Sequence, residues 1–168
     1  MVHPQNSLLP CFSHQVNFPD RSFESQRQHL IDEQLHEHKN ATGSWAIVEK
    51  DTRKIAGAIM LCQLLDEHHV PTQDIEVGWY LKPSVYLEPS VWGKGYATEP
   101  GRAIVDYGFS KLHLSVIYAV VKPEYYASIR VTERLGMKPL GLTTKYYGIE
   151  LLLFQQTASD KIEKIENK

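Results

Sequence analysis

The stretch from Asp74 to Met137 constrains the fold more than any other. It runs "DIEVGWYL", then the glycine stretch "WGKGYATE" opening a helix to about Leu112, then a buried-looking strand "SVIYAVV", then a second helix "YYASIRVTERL" ending on Gly136. Short runs rich in β-branched and aromatic residues read as strands, and a glycine after the last helical residue suits a left-handed cap. Upstream, "SWAIVEK" and "KIAGAIMLCQL" flank the turn-prone "DTRK" and read as a β-hairpin. Downstream, "TTKYYGIELLLFQQ" supplies a last strand. A hairpin followed by a strand-helix-strand-helix-strand unit makes a mixed α/β sheet.

The flanks are less regular. Pro4, Pro10 and Pro19 mark residues 1–21 as an extended arm, Ser22 or Ser25 caps a helix through about Lys39, and residues 158–168 read as a frayed tail. At 168 residues and 42% apolar content the chain is the size of one domain, 1–168, with enough apolar mass for a core. A formal net charge of -2 with no long Lys/Arg block argues against nucleic acid and membrane as partners. The N-terminus lacks the basic start and apolar core of a signal peptide, so a cytoplasmic location is expected. Cys11 and Cys62 show no CxxC spacing and are expected as free thiols, without a disulfide. His36 and His38, two apart, and the adjacent His68 and His69 do not put two imidazoles on one face, so no metal is expected.

Gly93, Lys94 and Gly95 stand between a strand and a helix start, where backbone N–H groups without intrahelical partners make an anion site. Glycines let the backbone approach a phosphate, while Lys94 and the Thr98 hydroxyl add charge and a donor. A P-loop needs GxxxxGK[ST], which "GKGYAT" lacks, and a dinucleotide fingerprint needs a third glycine or alanine where this chain has Thr98. A tight turn with no ligand is the remaining alternative.

"EVGW", "WGKGYATE", a helix ending near "DYGF" and "KPEYYASIRVTERLGM", in that order and followed by a last apolar strand, resemble the GNAT N-acetyltransferases. The subgroup that includes the ribosomal-protein N-terminal acetyltransferases is the nearest in pattern. The resemblance covers about Phe23 to Gln155 and is densest from Ile75 to Met137. It implies a mixed, mostly antiparallel sheet with splayed middle strands, flanking helices, and acetyl-CoA wedged between the two strands as co-substrate. It also implies that the backbone of Gly93, Lys94, Gly95, Tyr96, Ala97 and Thr98 holds the CoA pyrophosphate. Tyr125, Ser128 and Arg130 would then flank the pantetheine, the thiol and a phosphate.

"YLKPSVYLEPSV", Tyr80 to Val91, is one hexapeptide written twice with Lys82 replaced by Glu88. The interval from Glu76 to Gly93 exceeds the family's spacing by one copy, so one copy reads as an insertion. The second copy, with Leu87 and Val91, and the following Trp92 belong to the cofactor side, while the first stays attached to its strand. Pro83 and Pro89 cannot donate to a ladder, so a looped-out duplication beside the cofactor entrance is expected.

Acetyl transfer to a primary amine needs a neutral amine, a polarised thioester and a proton for the departing thiolate. An α-amine with a pKa of about 7.7–8.0 needs less help than a lysine near 10.4, so one carboxylate acting through water would suffice for a protein N-terminus, the acceptor toward which the resemblance tilts. Glu76 is the candidate base through water, against the alternative of a solvent-facing strand residue. Ser128 is the candidate donor to the sulfur, against the alternative of a first-turn serine that helps the helix start. Tyr125 stands where relatives usually carry asparagine, Tyr126 is an alternative acid, and Thr132 replaces an acid tyrosine found in some members. Pro100 is tolerable only within the first turn of its helix. The resemblance implies a first strand and helix for which this chain has only the arm, so half of the acceptor site is expected to be missing. The arm or a second subunit, as a homodimer, is expected to cover the strand "SWAIVEK". The rival reading is a catalytically impaired GNAT-fold module for CoA binding or assembly.

Overall fold

The computed structural model describes residues 42–82 and 93–161. The strands are β1 (Gly43–Val48), β2 (Ile55–Leu65), β3 (Pro71–Leu81), β4 (Val116–Val121), β5 (Lys138–Thr143) and β6 (Leu151–Thr157). Between them lie the helices α1 (Thr98–Ser110) and α2 (Tyr126–Leu135). The strands form one six-stranded sheet in the order β1-β2-β3-β4-β6-β5. Every neighbouring pair is antiparallel except β3 and β4. That parallel pair is in register only at Glu76↔Tyr118, whereas β4 and β6 stay paired from Val116↔Thr157 to Val121↔Leu152. The single pairing is the splay of the middle strands that the family resemblance implies.

Alternation along β3 divides the core. Val77 and Trp79 join Ile59 and Leu61 of β2, Ala119 and Val121 of β4, and Ile104 and Val105 of α1 on the helix-covered face. On the opposite face Leu64, Leu65, Val120, Tyr146, Tyr147 and Leu151 form a second cluster beneath the segment that joins β5 to β6. In α1 the buried residues Thr98, Gly101, Ile104, Val105 and Gly108 recur at the spacing of one helical stripe. Pro100 falls within the first turn, where its missing N–H costs no helical bond. Gly101 gives α2 room: a Cβ on it would stand 3.0 Å from the Leu135 side chain. Gly136 closes α2 at φ 79°, the left-handed cap read from the sequence.

Three expectations are corrected. The last sheet segment is two strands rather than one, because Lys138–Thr143 pairs with β6 despite Pro139 and Gly141. The register shifts between those two residues, and β5 is an edge of the described sheet, where both residue types are tolerated. The segment read as a tail begins with a helical turn at 158–161. Thr157 caps it: its N–H and hydroxyl donate to the Asp160 carboxylate at 3.0 and 2.8 Å. Lys138 completes the tie through an ion pair with Asp160. Cys62 is disulfide-bonded rather than free, a pairing that sequence spacing does not encode.

The arm, the helix before Lys39 with its histidines, and Pro83 to Trp92, which carry Leu87 and Val91, lie outside the described residues. Of the repeat, Tyr80 and Leu81 continue β3 opposite Ala58 and Gly57, and the Lys82 N–H reaches the Ala56 carbonyl at 2.8 Å. No helix among the described residues is long and apolar enough to cross a membrane.

Candidate active site

Glu76 stands at the one position where β3 and β4 pair, on the face away from α1 and α2. The solvent-facing alternative is excluded, since the residue is 2% exposed. The Tyr147 hydroxyl donates to its Oε1. Burial pushes the Glu76 carboxyl up to about 8, with the phenol's hydrogen bond pulling the other way. Tyr147 is pushed far above the ordinary phenol range, first by burial and then by the neighbouring carboxylate. Its backbone sits at φ 59° and that of Gly148 at φ 65°. The Tyr147 N–H donates to the carbonyls of Leu65 and Asp66 at 3.1 and 3.2 Å, which pins this turn to the end of β2.

Asp74, two residues earlier on the same face, accepts from Lys145 Nζ at 2.7 Å and from the Tyr146 hydroxyl at 2.8 Å. Burial raises its carboxyl, but these two donors outweigh that and leave it below the ordinary range. Two consecutive tyrosines of one turn therefore engage two carboxylates of one strand.

The glycine stretch lies across the sheet from this pair. Gly93 and Gly95 adopt φ 77° and 82°, a region in which any other residue is strained. Around Gly93 an added Cβ would meet nothing within 4 Å, so the backbone is open to a ligand there. At Gly95 a Cβ would come within 2.9 Å of the Glu99 carboxylate. Lys94 is exposed, whereas Ala97 and Thr98 are buried at the start of α1. The Glu99 N–H donates to the Gly95 carbonyl at 2.9 Å. Tyr96 donates its hydroxyl to Glu49, whose other oxygen accepts from Thr52, tying the loop to the β1–β2 turn.

At the start of α2, Tyr125 is the N-cap without a side-chain capping bond and packs against the helix-face core. The Lys122 ammonium lies 5.8 Å from its ring centroid. Ser128 is half-buried in the first turn, while Tyr126 and Arg130 are exposed. Thr132 is fully buried and donates to the Ile129 carbonyl at 2.7 Å. Glu76 and the start of α2 thus occupy opposite faces of the sheet at the parting of β3 and β4. Sequence reasoning missed Tyr147, Asp74 and Glu49. Strand alternation put Asp74 on the Glu76 face and was the one available signal. Among the described residues no group of three or more His, Cys, Asp or Glu could hold a metal ion.

The family model described as "Acetyltransferase (GNAT) domain" matches residues 12–138. The chain is similar to the uncharacterized N-acetyltransferase YnaD of Bacillus subtilis, 31% identical over 99 residues, covering 59% of this chain and 52% of that protein. It is also similar to the spermidine N(1)-acetyltransferase of Escherichia coli K12, 29% identical over 112 residues, covering 67% of this chain and 53% of that protein. The chain therefore spans about half the length of the curated relatives it matches. Among solved structures, a candidate ribosomal-protein-serine acetyltransferase from Vibrio cholerae superposes with a TM-score of 0.60 at 17% identity, covering 80% of this chain and 74% of that one. At that identity the likeness establishes the fold alone.

Proposed function

The chain belongs to the GNAT acetyltransferase family, and from that premise we propose that it is an acetyl-CoA-dependent N-acetyltransferase that acylates a primary amine by direct transfer. The observation that carries this reading is the lone Glu76↔Tyr118 pairing, which parts two parallel strands with a buried carboxyl at the point of parting. In this reading acetyl-CoA lies in the parting as co-substrate. The open, left-handed backbone at Gly93 supports a pyrophosphate contact, with Lys94 adding charge.

Glu76 takes a proton from the amine, directly or through water. The amine nitrogen bonds to the acetyl carbon as the carbon–sulfur bond breaks, and Ser128 donates a hydrogen bond to the departing sulfur. The acceptor is a small amine or a protein N-terminus. The polyamine named for one relative and the ribosomal protein named for one structural neighbour each support one of these.

Tyr125, standing where relatives usually carry asparagine, favours a second reading, a CoA-binding module without turnover. Calorimetric titration of acetyl-CoA and CoA separates the possibilities, with Gly93→Asp placing a carboxylate where the pyrophosphate belongs. Micromolar binding abolished by the variant, with turnover of an amine panel, is the expected result. Binding without turnover on any amine would favour the module, and no binding at all would remove the phosphate assignment.

A further inference from the structure

We propose that Tyr147 is a positioning residue for Glu76: its phenol orients the buried carboxyl at the parting of β3 and β4 and favours its ionised form. The inference rests on the reading of Glu76 as the base. Tyr147 is the hydrogen-bond donor that the described residues supply to Glu76, and both groups are almost wholly buried. Among the described residues, the surroundings offer little else that is charged. Cys62 of β2, held in a disulfide, and Tyr118 of β4 stand opposite Glu76 in register. The charge of Asp74, further along β3, is already met by Lys145 and Tyr146. Leu64, Leu65, Val120 and Leu151 fill the rest of this face.

The backbone supplies the independent observation. A tyrosine at φ 59° sits in a region that bulky residues rarely adopt, and the structure holds it there with two hydrogen bonds from its N–H. That conformation delivers the phenol to the carboxylate. A hydrogen bond to the ionised form favours that form, so the phenol offsets part of the desolvation that pushes the Glu76 carboxyl up to about 8. Tyr147 keeps its own proton throughout, because burial and the adjacent carboxylate both oppose its ionisation. In turnover the amine proton goes to Glu76, and Tyr147 steadies the acceptor before and after.

The test follows the Glu76 carboxyl by carbon NMR in the full chain, using Glu76→Gln to assign the signal, and compares Tyr147→Phe with Tyr146→Phe. Tyr147→Phe, which keeps the ring, should move the Glu76 titration upward by about one pH unit, and Tyr146→Phe should leave it in place. The rising limb of kcat/KM should move with it, with the KM for acetyl-CoA unchanged. An unmoved Glu76 titration in Tyr147→Phe would overturn the proposal, as would a rate loss equal at every pH. If the wild-type chain acylates no amine but the titration moves as expected, the enzyme reading fails and the pairing stands.

Discussion

A carboxyl buried as deeply as Glu76 keeps its proton at pH values where a surface glutamate has lost it, and folding must then depend on pH in a defined direction. The unfolded chain titrates near 4.5 and the folded one near 8. Between those values the native state binds the extra proton, so stability is full below about 4.5 and falls as pH rises toward 8. Glu76→Gln removes the titration while keeping shape and hydrogen-bonding capacity. The variant's stability relative to wild type should therefore climb by up to about 1.4 kcal/mol per pH unit across that window. Urea unfolding at pH 5.5 and pH 8.5 reads it, and a difference that stays flat would mean the carboxyl is not neutral in the fold. Glu76 was picked out through the family resemblance, as the glutamate of "EVGW" on the strand lining the presumed cleft. Its partner was not, because Tyr147 lies 71 residues away and nothing in "TKYYGIE" distinguishes a tyrosine that meets a carboxylate from one that packs.

At the scale of elements, the sequence was most readable where one physical signal decided the outcome. The hairpin turn, α1 beginning after the glycine stretch, and α2 ending on Gly136 all appeared within a few residues of where pattern and caps put them. β5 was not legible, because Pro139 and Gly141 are ordinary loop residues and only the pairing with β6 makes them strand. β2 also hides a constraint. Gly57 faces Leu81 at the end of β3, and a Cβ added there would lie 2.0 Å from the Tyr80 carbonyl oxygen. The obstacle is backbone, so it cannot rotate away. Gly57→Ala should force β2 and β3 apart where the repeat begins and cost about 2 kcal/mol or more in stability. Chemical denaturation checks this, and an unchanged midpoint would show that the two strands have slack at this end.

For the whole molecule, the Tyr96–Glu49 hydrogen bond joins the two halves of the fold. It links the β1–β2 turn to the glycine stretch across 47 residues of sequence. Bonds from Thr52 and Tyr96, with nearby Lys94 and Lys54, hold the Glu49 carboxyl below its ordinary range, so the tie is made with an ionised acceptor at neutral pH. A loop containing two left-handed glycines has many alternative conformations, and a side-chain anchor at Tyr96 removes some of them before a ligand arrives. The consequence falls on binding rather than on chemistry. Glu49→Ala and Tyr96→Phe should each weaken acetyl-CoA binding by roughly two- to fivefold, on the order expected for one lost surface hydrogen bond. The double variant should be no weaker than the poorer single one, because both remove the same contact. Calorimetry on the four proteins closes the cycle, with kcat unchanged wherever turnover is measurable. Losses that add would mean Glu49 and Tyr96 act separately on the ligand, and the glycine stretch would then owe its geometry to its own backbone and to the start of α1.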